Sequence, residues 1–344
     1  MRAFITGVAG PALTPEERSF LIEAQPWGLI VFGRNIVDPD GLRRLIEDFR
    51  ATVGRDAPVL VDQVGGRVQR LRPPHWPSYP PGSAYGELYD RSRKTALAAT
   101  WLGARLIAAD LALLGIDVDC LPIADVPVAG ADPVVGDRAY GRQPDKVAAI
   151  ASAIAQGLQD GGVLPVLKHI PGHGRATADS HRRLPVVNAD RATLQATDFA
   201  AFRPLAALPL AMTAHVVFSA IDPVAPATTS VAIVRDVIRD SIGFKGLLMS
   251  DDISMGALSG SLGERTRAAI AAGCDVVLHC NGELAEMRAV ADAAPELAGT
   301  ALHRAESALA MRRTPERIDL AAGRAQFLEH MTGVWQPAPA VGDA

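Results

Sequence analysis

The feature that most constrains this chain is a repeated alternation of short apolar runs with longer amphipathic segments. Eight such runs are expected as strands: Ala3–Val8, Gly28–Phe32, Val59–Asp62, Ile116–Pro122, Leu164–His169, Leu210–His215, Gly246–Ser250 and Asp275–Leu278. Most are apolar throughout, the pattern of parallel strands buried on both faces. The segments between them carry helix signals. Thr14-Pro15-Glu16-Glu17 offers a Thr N-cap, Pro at the first helical position and Glu at the capping-box position. Asp38-Pro39 opens a second helix, whose Leu42, Leu45, Ile46 and Phe49 fall on one face. Further helices are expected near residues 95–114, 144–159, 191–206, 230–241, 264–272, 283–292 and 300–313. Gly115, Gly161, Gly243 and Gly273 lie near several of their ends, where C-terminal glycines belong.

Eight strand–helix units predict an α/β fold, a single-domain TIM-type (β/α)8 barrel over residues 1–313. Such a barrel needs roughly 250 residues plus insertions. The competing architecture is a doubly wound open sheet with a glycine-rich phosphate loop after its first strand. Gly7-Val8-Ala9-Gly10-Pro11 does not supply that loop, and Pro11 lacks a backbone donor. The Pro-rich stretch Pro73–Pro81, with Trp76 and Tyr79, reads as an ordered insertion on the barrel rim. Residues 314–344, rich in Ala and Pro, read as an irregular C-terminal extension.

Composition excludes several function classes. With 49% hydrophobic and 21% charged residues the chain is globular. Its net charge of −4 comes from 34 basic and 38 acidic residues without a basic tract, so no nucleic-acid partner is expected. The apolar stretch within Met1–Val8 is too short for a signal-peptide core, and no window is read as an uncharged bilayer span. A cytoplasmic location without a membrane partner is the expectation. Cys120, Cys274 and Cys280 are an odd number beside apolar runs, and read as buried free thiols in a reducing compartment.

In a barrel of this type, chemistry gathers where strands end. Strand 3 ends in Asp62, followed by Arg67 and Arg70. A carboxylate leaving an apolar strand must be satisfied, either by sugar hydroxyls or by an internal pair with one of those arginines. Strand 5 leads through Lys168-His169-Ile170-Pro171-Gly172-His173-Gly174 to Asp179-Ser180-His181. In extended chain, residues two apart face the same side. Asp179 is therefore placed to orient the His181 ring and favour its protonated form, a general acid that can later act as base. Strand 7 ends in Ser250-Asp251-Asp252, where one carboxylate faces the mouth and the other caps or pairs locally. His215 after strand 6 and Arg138 after strand 4 add donors. Strand 1 ends in Thr6-Gly7-Val8 and offers no metal ligand, so neither a metal nor a cofactor is expected.

These motifs resemble glycoside hydrolase family 3, in its single-barrel β-N-acetylhexosaminidase form. The resemblance rests on Lys168–Gly174 with Asp179-Ser180-His181, on Phe244-x-Gly246 leading to Ser250-Asp251-Asp252-Ile253-Ser254-Met255, and on Asp62-Gln63 with Gly65–Arg70. It extends over residues 3–313. It implies Asp251 as nucleophile, His181 as acid/base and Asp179 as the residue that orients and charges it. Asp62, Arg70, Arg138, Lys168 and His169 match positions that hold the sugar. The implied reaction is retaining hydrolysis of terminal β-linked N-acetylglucosamine from peptidoglycan recycling fragments, including muropeptides, by a cytoplasmic enzyme expected to be monomeric. A β-N-acetylglucosaminide phosphorylase on the same scaffold is the alternative. Two positions depart from the family pattern: Val64 stands where Glu is usual, and Arg175 where Asp is common.

Overall fold

All eight apolar runs form strands in a computed structural model that describes residues 1–337. Numbered here in chain order, they are β1 (Arg2–Thr6), β2 (Pro26–Val31), β3 (Val59–Val61), β4 (Val118–Asp119), β5 (Leu164–Ile170), β6 (Leu210–Thr213), β7 (Leu247–Asp252) and β8 (Val276–His279). Each pairs in parallel with its sequence neighbours, and β8 closes on β1 with Phe4 opposite Val277 and Thr6 opposite His279. The TIM-type barrel predicted from strand–helix alternation is the observed fold.

The pleat sorts the strand side chains between two apolar layers. Ile5, Ile30, Leu60, Val118, Val166, Met212, Met249 and Leu278 pack together as one cluster. Their strand neighbours Phe4, Leu29, Val31, Val61, Leu167, Ala211, Leu248 and Val277 belong instead to the layer that includes the helices. Closure without an edge satisfies the strands' backbone groups and leaves the barrel interior filled. The β5–β6 and β7–β8 registers both shift, between Leu167 and Ile170 and between Met249 and Asp252. Such irregularities re-aim side chains, and both fall at carboxyl ends.

Local signals hold where they are self-contained. The Thr14 hydroxyl accepts from the Glu17 N–H at 3.1 Å while the Thr14 N–H donates to the Glu17 carboxylate at 2.8 Å. The Asp38 carboxylate accepts from the Gly41 N–H at 2.7 Å. The segment 191–206 is broken into pieces, Arg191–Ala196, Asp198–Phe202 and the turn Arg203–Leu205. The rim insertion is ordered as expected, with Trp76 and Tyr79 buried. It is entered by a small hairpin pairing Gln63–Gly65 with Val68–Gln69. Gly65 has φ +92°, and a Cβ there would lie 2.3 Å from the Pro80 carbonyl oxygen. Only glycine tolerates both conditions.

Three expectations need correction. The C-terminal extension is not irregular throughout: Leu320–His330 is a helix capped by Asp319, with Phe327 and Met331 buried. Its apolar face is satisfied by tertiary contact rather than by local propensity, which is why composition did not show it. Residues 338–344 lie outside the described residues. The helix Arg93–Ala112 is long and apolar enough to span a bilayer by length and composition, contrary to the window reading. Here it packs against the helices Gly82–Arg91, Pro144–Asp160 and Leu320–His330 as a core helix. Finally, Cys120 and Cys274 are buried thiols, but Cys280 is only half-buried and lines the mouth of the barrel.

Candidate active site

The carboxyl ends of the strands open into a cleft of about 750 Å³. Asp62, Arg70, Arg138, Lys168, His169, Asp179, His181 and Asp251 all line it, whereas His215, expected to add a donor at the mouth, is buried and does not reach the cavity. The pleat explains three of them. Asp62, Lys168 and Asp251 each stand two residues beyond an inward-facing apolar residue, namely Leu60, Val166 and Met249. A period of two aims each at the mouth.

Asp62 accepts from Lys168 Nζ at 2.7 Å and from an Arg70 guanidinium nitrogen at 3.1 Å. The internal pairing open in the sequence is thus made with Arg70, while Arg67 pairs with Asp137 at 2.9 Å. Burial would raise the Asp62 carboxyl, but Lys168 and Arg70 outweigh it and hold the group well below the usual carboxylate range. Arg70 also stacks over the Phe32 ring at 5.1 Å. Arg138 is buried, and its Nε has no partner among the described residues. A substrate hydroxyl would satisfy it.

His169 is oriented by a residue that the sequence reading missed. Its Nδ1 lies 2.7 Å from the fully buried Asp125 carboxylate, whose other oxygen accepts from the His173 N–H at 2.6 Å. Burial opposes ionisation of Asp125, yet His169 and His173 keep its carboxyl below the ordinary value. The available signal was the one used for Asp62: a lone carboxylate, here in Pro122-Ile123-Ala124-Asp125, directly after an apolar strand. Phe32 at the end of β2 was also missed, because a single aromatic beside apolar residues reads as core.

The two adjacent carboxylates separate. Asp252 accepts from the Ser254 N–H at 3.0 Å and hydroxyl at 2.7 Å, and so caps its own loop. Asp251 faces the cleft and, among the described residues, accepts only from the Asp252 N–H, at 2.8 Å. Burial would raise its carboxyl, but His169 and then His215 act against this and leave it below the usual value. His215 itself is held between the Thr228 hydroxyl at 2.7 Å and the Asp252 carbonyl at 3.0 Å, supporting the strand end from beneath.

On the rim, His181 Nδ1 lies 2.7 Å from the Asp179 carboxylate, and the His181 N–H donates to the same oxygen at 2.9 Å. Burial opposes ionisation of Asp179, but the two bonds from His181 hold its carboxyl below its ordinary value. The His181 side chain is 63% exposed. Among the described residues, no group of three His, Cys, Asp or Glu side chains is arranged to hold a metal.

The departures from the family pattern are structural here. Val64 is buried in the apolar core beside the hairpin turn. Arg175 pairs with the buried Asp198 at 2.5 Å and donates to the Thr197 hydroxyl at 2.9 Å, tying the start of the His181 loop to the helix Asp198–Phe202.

A closed parallel barrel with a half-buried carboxylate, an exposed His–Asp pair and a cation-flanked carboxylate around one mouth defines a barrel enzyme equipped for acid/base chemistry on a polar substrate. Residues 7–311 match the glycosyl hydrolase family 3 N terminal domain. A beta-hexosaminidase of Alkalilimnicola ehrlichii is 39% identical over 279 residues, covering 80% of this chain and 79% of its own. A beta-hexosaminidase of Aromatoleum aromaticum is 37% identical over 316 residues, covering 91% and 87%. The crystal structure of NagZ from Neisseria gonorrhoeae in complex with N-trifluoroacetyl-D-glucosamine matches with a TM-score of 0.83 at 30% identity over 97% of each chain. This chain belongs to glycoside hydrolase family 3 and is a glycoside hydrolase.

Proposed function

We propose that this chain is a retaining exo-β-N-acetylhexosaminidase that releases terminal β-linked N-acetylglucosamine from peptidoglycan fragments, including muropeptides, as a cytoplasmic monomer. The observation that carries the reading is the 2.7 Å contact between His181 Nδ1 and Asp179 on the rim of the cleft that holds the half-buried Asp251, whose carboxyl is kept below its usual value. Relatives named beta-hexosaminidase, and a similar structure bound to an N-acylated glucosamine, support the sugar class. Free thiols support a reducing compartment.

In the reaction so assigned, the Asp251 carboxylate attacks the anomeric carbon and forms an ester as the bond to the leaving oxygen breaks. His181 gives that oxygen its proton from the ring nitrogen not engaged with Asp179. Water then attacks the anomeric carbon and passes a proton back to His181, and the ester bond breaks to restore the Asp251 carboxylate. Two inversions leave the β configuration unchanged. Asp62, Arg70, Lys168, Arg138 and His169 hold the sugar, with the Asp62 carboxylate accepting from its hydroxyls and the cations donating to them.

The test is turnover of an aryl β-N-acetylglucosaminide. The wild-type chain is expected to release free N-acetylglucosamine, and Asp251→Ala to lose orders of magnitude in kcat. Near-wild-type turnover by the variant overturns the nucleophile assignment. The same assay with added inorganic phosphate addresses the phosphorylase alternative, since formation of the sugar 1-phosphate would replace hydrolysis by phosphorolysis.

A further inference from the structure

The loop that follows Asp251 also touches the acid/base segment. The Gly256 N–H donates to the His181 carbonyl and the Ala257 N–H to the Ser180 carbonyl, each at 3.1 Å. Two adjacent donors on one loop thus meet two adjacent acceptors on the other. The donor loop is itself braced, because one Arg265 guanidinium nitrogen donates to the Ile253 carbonyl at 2.9 Å and to the Met255 carbonyl at 3.2 Å. The approach leaves no room for a side chain at Gly256: a Cβ there would lie 2.8 Å from the Arg182 oxygen and 2.9 Å from the His181 oxygen. Both are backbone atoms, so the segment itself would have to move. On its other side the segment is anchored by the Ser180 hydroxyl, 2.9 Å from His173 Nε2, and His173 is fixed in turn by its N–H bond to Asp125.

We propose that Gly256, Ala257 and Ser180 are positioning residues for general acid catalysis: the nucleophile's own loop docks the Asp179–Arg182 segment and sets where His181 stands relative to Asp251. The inference rests on the assignment of those two residues made above. Proton transfer in the transition state depends on hydrogen-bond geometry within a few tenths of an ångström, and nucleophilic attack by Asp251 does not use this contact. A displaced dock therefore removes acid assistance and spares the nucleophile.

The experiment compares wild type, Gly256→Ala and His181→Ala on two substrates, a dinitrophenyl β-N-acetylglucosaminide, whose leaving group needs no proton, and an unactivated β-linked disaccharide. For Gly256→Ala, kcat/KM on the disaccharide is expected to fall about tenfold or more, while the dinitrophenyl substrate stays within about twofold and the thermal midpoint stays that of wild type. A merely structural role would lower both substrates together. Equal losses on both, or no loss on either, overturn the dock provided His181→Ala keeps its dependence on the leaving group. If His181→Ala shows no such dependence, the acid assignment fails and the dock falls with it. Ser180→Ala must show the same selective loss, and it decides the matter should Gly256→Ala not fold.

Discussion

Asp251 and Asp252 are adjacent and chemically identical, and the pleat, with the register shift between Met249 and Asp252, gives them different surroundings. The side chain two residues beyond an inward-facing Met249 enters the cleft, while the next one turns to Ser254. Burial has different outcomes at other polar groups nearby. At Asp62 two cations overcome it, so the folded carboxyl titrates below its unfolded value of about 3.9. That contribution to stability is present above the unfolded value and is lost as pH falls through the depressed one. His173 has the opposite balance: desolvation, reinforced by His169, pushes it down to about 4 from an ordinary 6.5. Below pH 6.5 the unfolded chain binds a proton at this ring that the folded chain refuses until about pH 4, so stability falls across that window as pH decreases. The loss is on the order of 3 kcal/mol at most. Denaturant unfolding at stepped pH is expected to show this decline in the wild type and a flatter profile in His173→Asn. Matching profiles between pH 6.5 and 4 would show that His173 does not titrate as described.

At the scale of elements, the loop between β5 and the helix Arg191–Ala196 is long but tied down. Its entry is held by Asp125, its middle by Val126, whose carbonyl lies against Gly174, and its Arg175 by Asp198. Asp198 is 1% exposed, and its Oδ1 has no partner among the described residues. Burial raises its carboxyl, with Arg175 and Thr197 acting against that. Arg175→Ala leaves this carboxylate buried and poorly paired, and a cost of about 3–5 kcal/mol is expected. Asp198→Asn in the same background should recover part of it, because the charge that required Arg175 is gone. Urea titrations of the single and double variants check this. A loss below about 1 kcal/mol for Arg175→Ala would mark the pair as an ordinary surface ion pair.

For the whole molecule, the C-terminal helix connects to the rim of the cleft. Phe327 packs among Tyr79, Tyr85 and Trp335, with ring centroids 6.3, 6.4 and 6.3 Å away. Arg324 and the Tyr79 hydroxyl share the Asp110 carboxylate at 2.6 and 2.7 Å. The Tyr79 N–H in turn donates to the side-chain oxygen of Gln69 at 2.9 Å, one residue before Arg70. A segment more than 200 residues away along the chain thereby supports the strand that presents Arg70 to Asp62. Phe327→Ala is expected to destabilise the protein by about 3–5 kcal/mol, as large-to-small changes in packed cores do. Calorimetry should show a thermal midpoint lower by several degrees. An unchanged midpoint would mean that this helix is not part of the cooperative fold.

Much of this was legible from residues whose signals are local. The eight strands are apolar because both faces of a parallel barrel are buried, so each run is visible without knowing its neighbours. The Thr14 and Asp38 caps, and the Asp179–His181 pair, form between residues no more than three apart, and their geometry follows from the local backbone. What the tertiary structure decided depends on which strand lies beside which and in what register. Lys168 meets Asp62 across 106 residues of sequence, and His169 meets Asp125 across 44. Arg175 finds Asp198, Gly256 meets His181, and the tail meets Tyr79, only after the barrel has closed. A carboxylate's neighbours set whether it is an ion-pair partner, a cap or a group left facing the cleft. For Asp62, Asp125 and Asp251 those neighbours come from other strands, so residue type and spacing could locate the chemistry but not divide the roles.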